Sequence, residues 1–218
     1  MSEAEKRAEI VAAVAYLEET GLNQGSSGNI SLRDGDSILI TPAGAQKSNL
    51  SASMIVRLDL DGNVLDGSNT VPSTEWRLHT ELHRHRPEIG AVVHSHADNC
   101  VALSCLRQPL PAFQYQVASF GGDEVPCSRY EPFGSDALAA AVVEAMGKQY
   151  LACLMANHGM IAVGRSLEHA RTLAFKLETL ARQYILCRTA GTPVILNAAE
   201  MEEVHRRYPF YGKARLPR

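Results

Sequence analysis

The chain has 218 residues, of which 45% are hydrophobic and 21% charged, and its formal net charge is −3. This length and composition predict one globular domain over residues 1–218, large enough to bury a core without disulfides or metal staples. A net negative charge provides no positive potential that would attract nucleic acid. No apolar run approaches the ~20 residues that a membrane span requires. We therefore expect neither a nucleic-acid partner nor a membrane partner.

The cysteines and the first residues predict a cytoplasmic location. No charged-then-apolar signal pattern opens the chain, because the first residues lead directly into a charged helical pattern. Five cysteines are an odd number, they form no C-x-x-C pair, and they lie mostly among apolar neighbours. These features are typical of reduced, buried thiols in a reducing compartment.

Hydrophobic periodicity and turn residues predict a mixture of helices and strands along the chain. The N-terminal half begins with a helix over residues 3–20 that ends at Gly21, followed by strands at 30–32 and 37–41 and a hairpin over 55–65 around Asp61-Gly62. The later elements are a helix over 75–86, a strand ending at His94, an apolar stretch over 101–106, a helix from Ser135 to Gly147, two close strands around His158, a long helix from Ser166 to Gly191, and a short helix over 200–207. Tight strand pairs mixed with helices predict an α/β fold with a largely antiparallel or mixed sheet flanked by helices.

The pair His94 and His96 is the most informative motif. It follows the apolar run Ala91-Val92-Val93, and two histidines at this spacing on a strand point to the same face, where both imidazoles can reach one metal ion. A second apolar run ends in Asn157-His158-Gly159 and offers a third imidazole at a strand end. Three histidines leave coordination positions for a substrate, which is typical of a catalytic metal site. The alternative is a set of core histidines that are hydrogen-bonded to the backbone.

A rival metal site lies on one predicted helix, where Glu75, His79 and His83 follow each other at intervals of four residues. We prefer the strand site, because histidines on such a helix are often solvated and no strand geometry fixes them. Ser73 and Thr74 precede Glu75 at the helix N-terminus, where free N–H groups favour anions. Their hydroxyls form either a phosphate cradle or an ordinary helix cap, and the spacing alone favours the cap.

Two further loops are suited to binding an anion. The segment Gly25-Ser26-Ser27-Gly28-Asn29 is small and polar, so its backbone N–H groups can approach a ligand closely. The segment Thr41-Pro42-Ala43-Gly44 follows a predicted strand end, where ligand-binding loops are common. Each loop alone is more often a simple turn. Together with a metal, the loops indicate a small phosphorylated substrate.

In their order along the chain, these motifs resemble the class II aldolases of the fuculose-phosphate type, whose wider family includes the adducin head domain. The resemblance is carried by Gly21-Leu22-Asn23-Gln24-Gly25, Gly28-Asn29, Ile40-Thr41-Pro42, Gly44, Pro72-Ser73, Glu75-Trp76-Arg77, Val92-Val93-His94-Ser95-His96-Ala97 and His158-Gly159. It continues through Tyr115, Gly121-Gly122, Pro126-Cys127, Phe133-Gly134 and Tyr211-Gly212. The chain departs from the fuculose-phosphate pattern at Ala43, where a hydroxyl residue is usual, and at Thr74, which replaces a second serine.

The resemblance implies a three-layer α/β/α fold and a zinc-dependent aldolase. The enzyme would reversibly cleave a ketose 1-phosphate, similar to fuculose 1-phosphate or a 5-deoxypentulose 1-phosphate, to dihydroxyacetone phosphate and an aldehyde through a zinc-stabilised enediolate. By this resemblance His94, His96 and His158 hold one Zn²⁺ per subunit, and Glu75 completes the metal sphere until the ketose displaces it. Glu75 then moves the proton on the dihydroxyacetone-phosphate carbon.

The resemblance also assigns the substrate-binding residues and the assembly. Phosphate would be bound by Gly28, Asn29, Ala43, Gly44, Ser73 and Thr74. Tyr115 would act as an acid near the aldehyde oxygen, and Tyr211 would close over the site. The implied assembly is a four-fold symmetric homotetramer with each active site at a subunit interface.

Two other functions occur within the family and are kept as alternatives. One is a pentulose-phosphate 4-epimerase or methylthioribulose-1-phosphate dehydratase, and Glu75 argues against the epimerase, because the epimerases resemble one another in having Asp there. The other is a non-catalytic interaction domain like that of adducin. The intact set of Glu75, His94, His96 and His158 argues against it, because a scaffold has no need of metal donors.

Overall fold

The computed structural model describes residues 1–67 and 69–211 of the chain, so Gly212 of the Tyr211-Gly212 motif lies outside the described part. Nine strands occur in this part: β1 Asn29–Asp34, β2 Ser37–Ile40, β3 Val56–Asp59, β4 Ala91–Ser95, β5 Leu110–Pro111, β6 Glu124–Val125, β7 Cys127–Ser128, β8 Ala152–Met155 and β9 Gly159–Gly164. Seven of them form a sheet in the order β3-β2-β1-β4-β9-β8-β7, and β5 pairs with β6 separately. Among the strand pairs of the described ranges, only β7 and β8 run parallel.

Six α-helices accompany the sheet: α1 Glu3–Glu19, α2 Trp76–His85, α3 Asp98–Ser104, α4 Asp136–Met146, α5 Leu167–Ala190 and α6 Ala198–Arg207. On one face Leu17 of α1 and Leu177 of α5 share a core with Val93 of β4. On the other face Leu82 of α2 packs in a second core with Val92. Neighbouring residues of β4 therefore enter opposite cores, as the two-residue period of a strand requires.

The arrangement confirms the predicted mixed, mostly antiparallel sheet with a helical layer on each face. The predicted caps at Ser135 and Ser166 are also present, because their side chains accept hydrogen bonds from the backbone N–H groups of Leu138 at 3.1 Å and His169 at 3.2 Å. The apolar stretch at 101–106 belongs to α3 and the turn after it. In the described residues, no helix is both long and apolar enough to cross a membrane.

The hairpin predicted over residues 55–65 forms only in part, because its second arm is not a full strand. β3 pairs with this arm through a bridge between Leu58 and Val64 and through two backbone hydrogen bonds, from Asp59 N–H to Asn63 at 3.0 Å and from Leu65 N–H to Arg57 at 2.9 Å. The Asp59 carboxylate accepts the backbone N–H groups of Asp61 at 2.9 Å and Asn63 at 2.8 Å. This side chain therefore satisfies N–H groups of the turn itself, and the short second arm lies at the surface, with Val64 40% exposed.

Leu58 and Leu65 allow a direct test of this difference, because Leu58 is fully buried and Leu65 is 51% exposed. We expect Leu58→Ala to lower the free energy of unfolding by about 2–5 kcal/mol through lost burial and a residual cavity. Leu65→Ala should change it by less than about 0.5 kcal/mol, because its side chain already contacts water. Urea unfolding of both variants measures the two values, and equal losses would show that Leu65 belongs to the core.

Candidate metal centre and active site

Strand ends and one helix start deliver the candidate metal ligands to a common point. His94 occupies the second-last position of β4, where it pairs with Asn29 of β1 and Ile161 of β9. His96 follows just beyond the end of β4, and His158 lies in the turn between β8 and β9. Glu75 is the N-cap residue of α2. The structure thus brings together the four residues that the sequence analysis selected as ligands.

The four side chains form a compact cluster. The ring centroids of His94, His96 and His158 are 4.8–4.9 Å apart, and each pair of rings is close to perpendicular, at 72–89°. His94 Nε2 lies 2.9 Å from His96 Nε2 and 3.1 Å from Glu75 Oε2, and His158 Nε2 lies 3.3 Å from Glu75 Oε1. One donor atom from every residue falls within 4.8 Å of all the others.

The hydrogen-bond partners of the cluster show that it can hold a cation. His94 Nδ1 is 2.9 Å from the carbonyl oxygen of Met160, which only accepts, so Nδ1 carries a hydrogen, and in the neutral ring Nε2 then presents a lone pair to the cluster. Glu75 Oε1 is buried and has no hydrogen-bond partner. A metal ion satisfies both a converging set of imidazole lone pairs and an orphaned carboxylate oxygen. These residues therefore form a group that can bind a metal ion.

The electrostatics of the cluster keep Glu75 ionised. Burial by itself would raise the pKa of Glu75, but the imidazoles of His94 and His158 and the Asn29 amide lower that pKa well below its ordinary value. Burial likewise opposes protonation of His94, yet the Glu75 carboxylate raises the pKa of His94. Burial, followed by the charge of His94, lowers the pKa of His96 and of His158 to about 4. Neutral imidazoles are the form that binds a metal.

The turn that carries His158 is fixed by close backbone contacts. Asn157 adopts a left-handed conformation with φ of 54°, which asparagine tolerates better than most residues. Two hydrogen bonds join the turn to Ser104 of α3. The backbone N–H of Asn157 donates to the Ser104 carbonyl oxygen at 3.1 Å, and the backbone N–H of His158 donates to the Ser104 hydroxyl at 3.3 Å. A Cβ atom on Gly159 would lie only 2.6 Å from the Ser95 carbonyl oxygen, so glycine is required for the turn to approach β4.

A pocket opens above the cluster, and the predicted phosphate loops form part of its wall. Its lining includes Ser26, Ser27, Gly28, Asn29, Pro42, Ala43, Gly44, Ser73, Thr74, Glu75, His96 and His158. The loops are tied to each other by the bridge between Pro42 and Pro72 and by two backbone bonds of 3.0 Å, Ala43 N–H to Val71 and Ser73 N–H to Thr41. All six residues selected for phosphate binding therefore border the same pocket.

The residues before α2 do not cap the helix with their side chains. Glu75 is the N-cap and makes no side-chain cap bond, while the Ser73 hydroxyl accepts the Glu75 N–H at 3.3 Å. Thr74 is exposed at the pocket wall. The capping box that the spacing favoured is therefore wrong, and Thr74 lines the pocket instead.

Tyr115 and Tyr211 lie together, but away from the pocket in the described chain. Their hydroxyl oxygens are 3.5 Å apart, with ring centroids 6.1 Å apart, and Gln116 donates to the Tyr211 hydroxyl at 3.2 Å. Both rings are substantially exposed, at 40% and 52%. Neither tyrosine lines the pocket that contains Glu75. Their predicted contact with the active site is therefore not made within one subunit.

The expectation that His79 and His83 are solvated is wrong. His79 is fully buried and His83 is 1% exposed, because both point from α2 toward β1 rather than to the surface. Both rings approach the hydroxyl of Ser31, at 2.8 Å and 2.9 Å. The rival cluster of Glu75, His79 and His83 does not converge on one metal position, because the donor group that forms around Glu75 contains neither histidine.

Residues on the outer rim of the pocket were not selected from the sequence. Tyr130, Glu131, Phe133 and Asn157 line it, and Tyr130 and Phe133 are 53% and 75% exposed. The Arg107 guanidinium lies 5.4 Å from the centre of the Tyr130 ring. In the sequence, only the large aromatic residues beside Pro132 and Gly134 could have pointed to a binding site. Such residues are also common in surface loops, so they do not identify one.

The comparison with known proteins agrees with this geometry. Residues 8–185 match the sequence model of the class II aldolase and adducin N-terminal domain. The chain belongs to this family. It is 43% identical over 210 residues to a 5-methylthioribulose-1-phosphate/5-deoxyribulose-1-phosphate aldolase of Rhodospirillum rubrum, covering 95% of this chain and 93% of that relative. It is 38% identical to an L-fuculose phosphate aldolase of Haemophilus influenzae, with 97% of both chains covered.

A solved structure extends the similarity to three dimensions. An L-fuculose 1-phosphate aldolase superimposes with a TM-score of 0.90 at 34% identity, covering 96% of this chain and 99% of that one. The three-layer fold expected from the resemblance is thereby confirmed. The prediction that the chain is an enzyme of the class II aldolase family is also confirmed, because its relatives are aldolases and its cluster retains three histidines and a glutamate.

Removal of one donor should empty the metal site. We expect His94→Ala and His158→Ala to lose most of the bound metal, because each removes one of three imidazole ligands. His85→Ala is the matched control, since His85 lies exposed on α2 and takes no part in the cluster. Metal content per subunit of the purified variants measures the effect. A full equivalent of metal in His94→Ala would refute the assignment of this cluster.

Proposed function

We propose that the protein is a zinc-dependent class II aldolase that reversibly cleaves a ketose 1-phosphate to dihydroxyacetone phosphate and an aldehyde. The observation that carries this proposal is the buried Glu75 carboxylate in contact with His94 and His158 in a pocket lined by the small polar loops around Gly28, Gly44 and Ser73. The substrate class is a fuculose 1-phosphate-like or 5-deoxypentulose 1-phosphate, supported by the names of the relatives.

The donor set supports zinc as the metal. Three imidazole nitrogens and one carboxylate oxygen suit Zn²⁺, and a glutamate that leaves on substrate binding keeps coordination positions open. When bound, the ion would supply Lewis acidity toward the ketose carbonyl and the neighbouring hydroxyl. His94 is held for this role by its bond to the Met160 carbonyl, and His158 by the contacts of its turn with Ser104.

The loops at the pocket wall would bind the phosphate group of the substrate. Gly28 has φ of 77°, and an added Cβ would lie 2.7 Å from the His94 carbonyl oxygen, so only glycine lets this loop pack against β4. Backbone N–H groups of Gly28 and Gly44, with the hydroxyls of Ser73 and Thr74 and the Asn29 amide, are suitable phosphate donors. Ala43 contributes only its backbone to this set.

Glu75 is the group placed to move the proton. In the cleavage direction the hydroxyl next to the breaking carbon–carbon bond loses its proton and becomes the aldehyde carbonyl. The electron pair of that bond is delocalised into the ketone, and the remaining carbon accepts a proton to give dihydroxyacetone phosphate. The ionised Glu75 carboxylate can accept that proton in the reverse, condensing direction.

A panel of ketose 1-phosphates tests the function. The protein should release dihydroxyacetone phosphate from fuculose, 5-deoxyribulose, methylthioribulose or ribulose 1-phosphate, detected by a coupled reduction. In Glu75→Gln, exchange of the dihydroxyacetone-phosphate carbon proton with solvent should fall by roughly 10²–10⁴-fold. Glu81→Gln, on the same helix and paired with Arg84, is the matched control. Release of no dihydroxyacetone phosphate from any of the four by metal-loaded protein would contradict the proposal.

The two tyrosines are proposed to act across a subunit interface. The Tyr115 and Tyr211 hydroxyls lie side by side on an exposed aromatic surface with Tyr208, whose ring stacks on Tyr211 at 5.6 Å. Exposed aromatic residues of this kind are enriched at interfaces. In a homotetramer with active sites at subunit boundaries, this surface would complete a neighbour's pocket, with Tyr115 as the acid near the aldehyde oxygen.

Subunit mixing tests this arrangement. Tyr115→Phe and Glu75→Gln homo-oligomers should each be nearly inactive, and mixed oligomers should recover activity, because some sites then combine an intact Tyr115 with an intact Glu75. Two separately tagged variants, co-expressed and purified as hybrids, provide the measurement, with oligomeric state checked by light scattering. A fully active monomer, or hybrids that recover nothing, would rule out the shared site.

A further inference from the structure

A continuous chain of buried polar side chains runs from Glu75 away from the pocket into the layer between β1 and α2. Asn29 Nδ2 donates to Glu75 Oε2 at 3.0 Å, and Asn29 Oδ1 contacts His79 Nε2. His79 Nδ1 lies 2.8 Å from the Ser31 hydroxyl, which in turn lies 2.9 Å from His83 Nε2. All five residues are buried, and neither the metal cluster nor the pocket lining contains His79, Ser31 or His83.

The geometry of the two elements explains why the chain forms. Residues 29 and 31 of a strand share one face and lie ~6.6 Å apart, and residues 79 and 83 of a helix share one face and lie ~6 Å apart. The two repeats therefore match closely where α2 packs against β1. Each histidine on the helix meets a polar residue on the strand, at positions that elsewhere in this layer are apolar, such as Leu78 and Leu82.

The chemistry of the groups in this series determines which atom donates and which accepts in each of its hydrogen bonds. The Glu75 carboxylate only accepts, so the Asn29 amide must turn its Nδ2 toward Glu75 and its Oδ1 toward His79. Oδ1 also only accepts, so His79 Nε2 must carry a hydrogen. Burial lowers the pKa of His79 to about 3, so the ring is neutral and its Nδ1 is an acceptor.

The remaining two links follow from that tautomer. Because His79 Nδ1 accepts, the Ser31 hydroxyl donates its one hydrogen to it. The Ser31 oxygen can then accept a hydrogen bond from His83 Nε2–H. Burial lowers the pKa of His83 against a smaller, opposing effect of the Ile89 backbone, so the ring is neutral and carries one hydrogen. With that hydrogen on Nε2, Nδ1 has none, and among the described residues this buried atom has no hydrogen-bond partner.

We propose that His79, Ser31 and His83 are positioning residues that lock the Asn29 amide in the orientation that holds Glu75. If the amide turned over, its oxygen would face the carboxylate and its NH₂ group would face a ring N–H, which is unfavourable at both ends. In this orientation one Nδ2 hydrogen of Asn29 is donated to Glu75. Asn29 lines the pocket, so its second hydrogen is available to a substrate oxygen.

The orientation is first tested without any enzyme activity. In metal-free protein labelled with ¹⁵N-histidine, long-range ¹H–¹⁵N correlation should show both His79 and His83 with hydrogen on Nε2 and none on Nδ1. Assignment comes from loss of the corresponding signals in His79→Gln and His83→Gln. A hydrogen on His79 Nδ1 would reverse the chain and overturn the proposal. This outcome is independent of the substrate, so it is distinct from a failure of the proposed aldolase function.

The effect on Glu75, which rests on the proposed function, is tested by kinetics. Ser31→Ala should slow solvent exchange of the dihydroxyacetone-phosphate proton by roughly 3- to 10-fold, the effect of one misplaced hydrogen bond. KM should stay near the wild-type value, and Ser31→Thr, which keeps the hydroxyl, should restore the exchange rate. Thr80→Val is the matched control, because Thr80 is buried on α2 and donates to the Arg77 carbonyl outside the chain. Wild-type exchange in Ser31→Ala, or an equal loss in Thr80→Val, would overturn the proposal.

Discussion

The antiparallel register of β1, β4 and β9 is the constraint on which the whole site depends. It sets Asn29 opposite His94 and brings the Met160 carbonyl within 2.9 Å of His94 Nδ1. A slip by one residue would turn His94 to the other face and put Val93 in its place. The register is held because both faces of β4 are buried, Val92 in one core and Val93 in the other. Ordinary apolar packing therefore determines where the polar chemistry lies.

The site gathers many polar groups in a layer that is otherwise apolar, and each group is stabilised by the next. A buried carboxylate, three imidazoles and an amide would be costly if any were left without a partner. The hydrogen bonds behind Glu75 satisfy Oε2 and leave Oε1 orphaned among the imidazoles. The same arrangement therefore positions the carboxylate and favours a cation, because the oxygen that makes no hydrogen bond among the described residues faces the imidazoles.

The sequence predicted those parts of the molecule that depend on local pattern. Apolar runs ending in His94-x-His96 and in His158 located three donors, and serine caps located the helices. Prediction was incomplete where the partner of a side chain decides. The Asp59 carboxylate satisfies N–H groups of its own turn, and the second arm of the hairpin stays short. His79 and His83 were expected in solvent, because helical spacing does not reveal that Ser31 of a strand lies opposite them. Tyr115 and Tyr211 do not line the pocket in the described chain, so their predicted role stays a proposal.

The pocket consists of two parts with different anchoring. Its floor lies at the end of β4, and two loops of its wall are tied to each other by the bridge between Pro42 and Pro72. Its rim comes from the segment between β7 and α4, where Tyr130 and Phe133 stand 53% and 75% exposed. Substitutions in that segment leave the strand register intact. The mouth of the pocket can therefore vary in sequence while the cluster below stays the same, and changes of ligand range are best engineered in this segment.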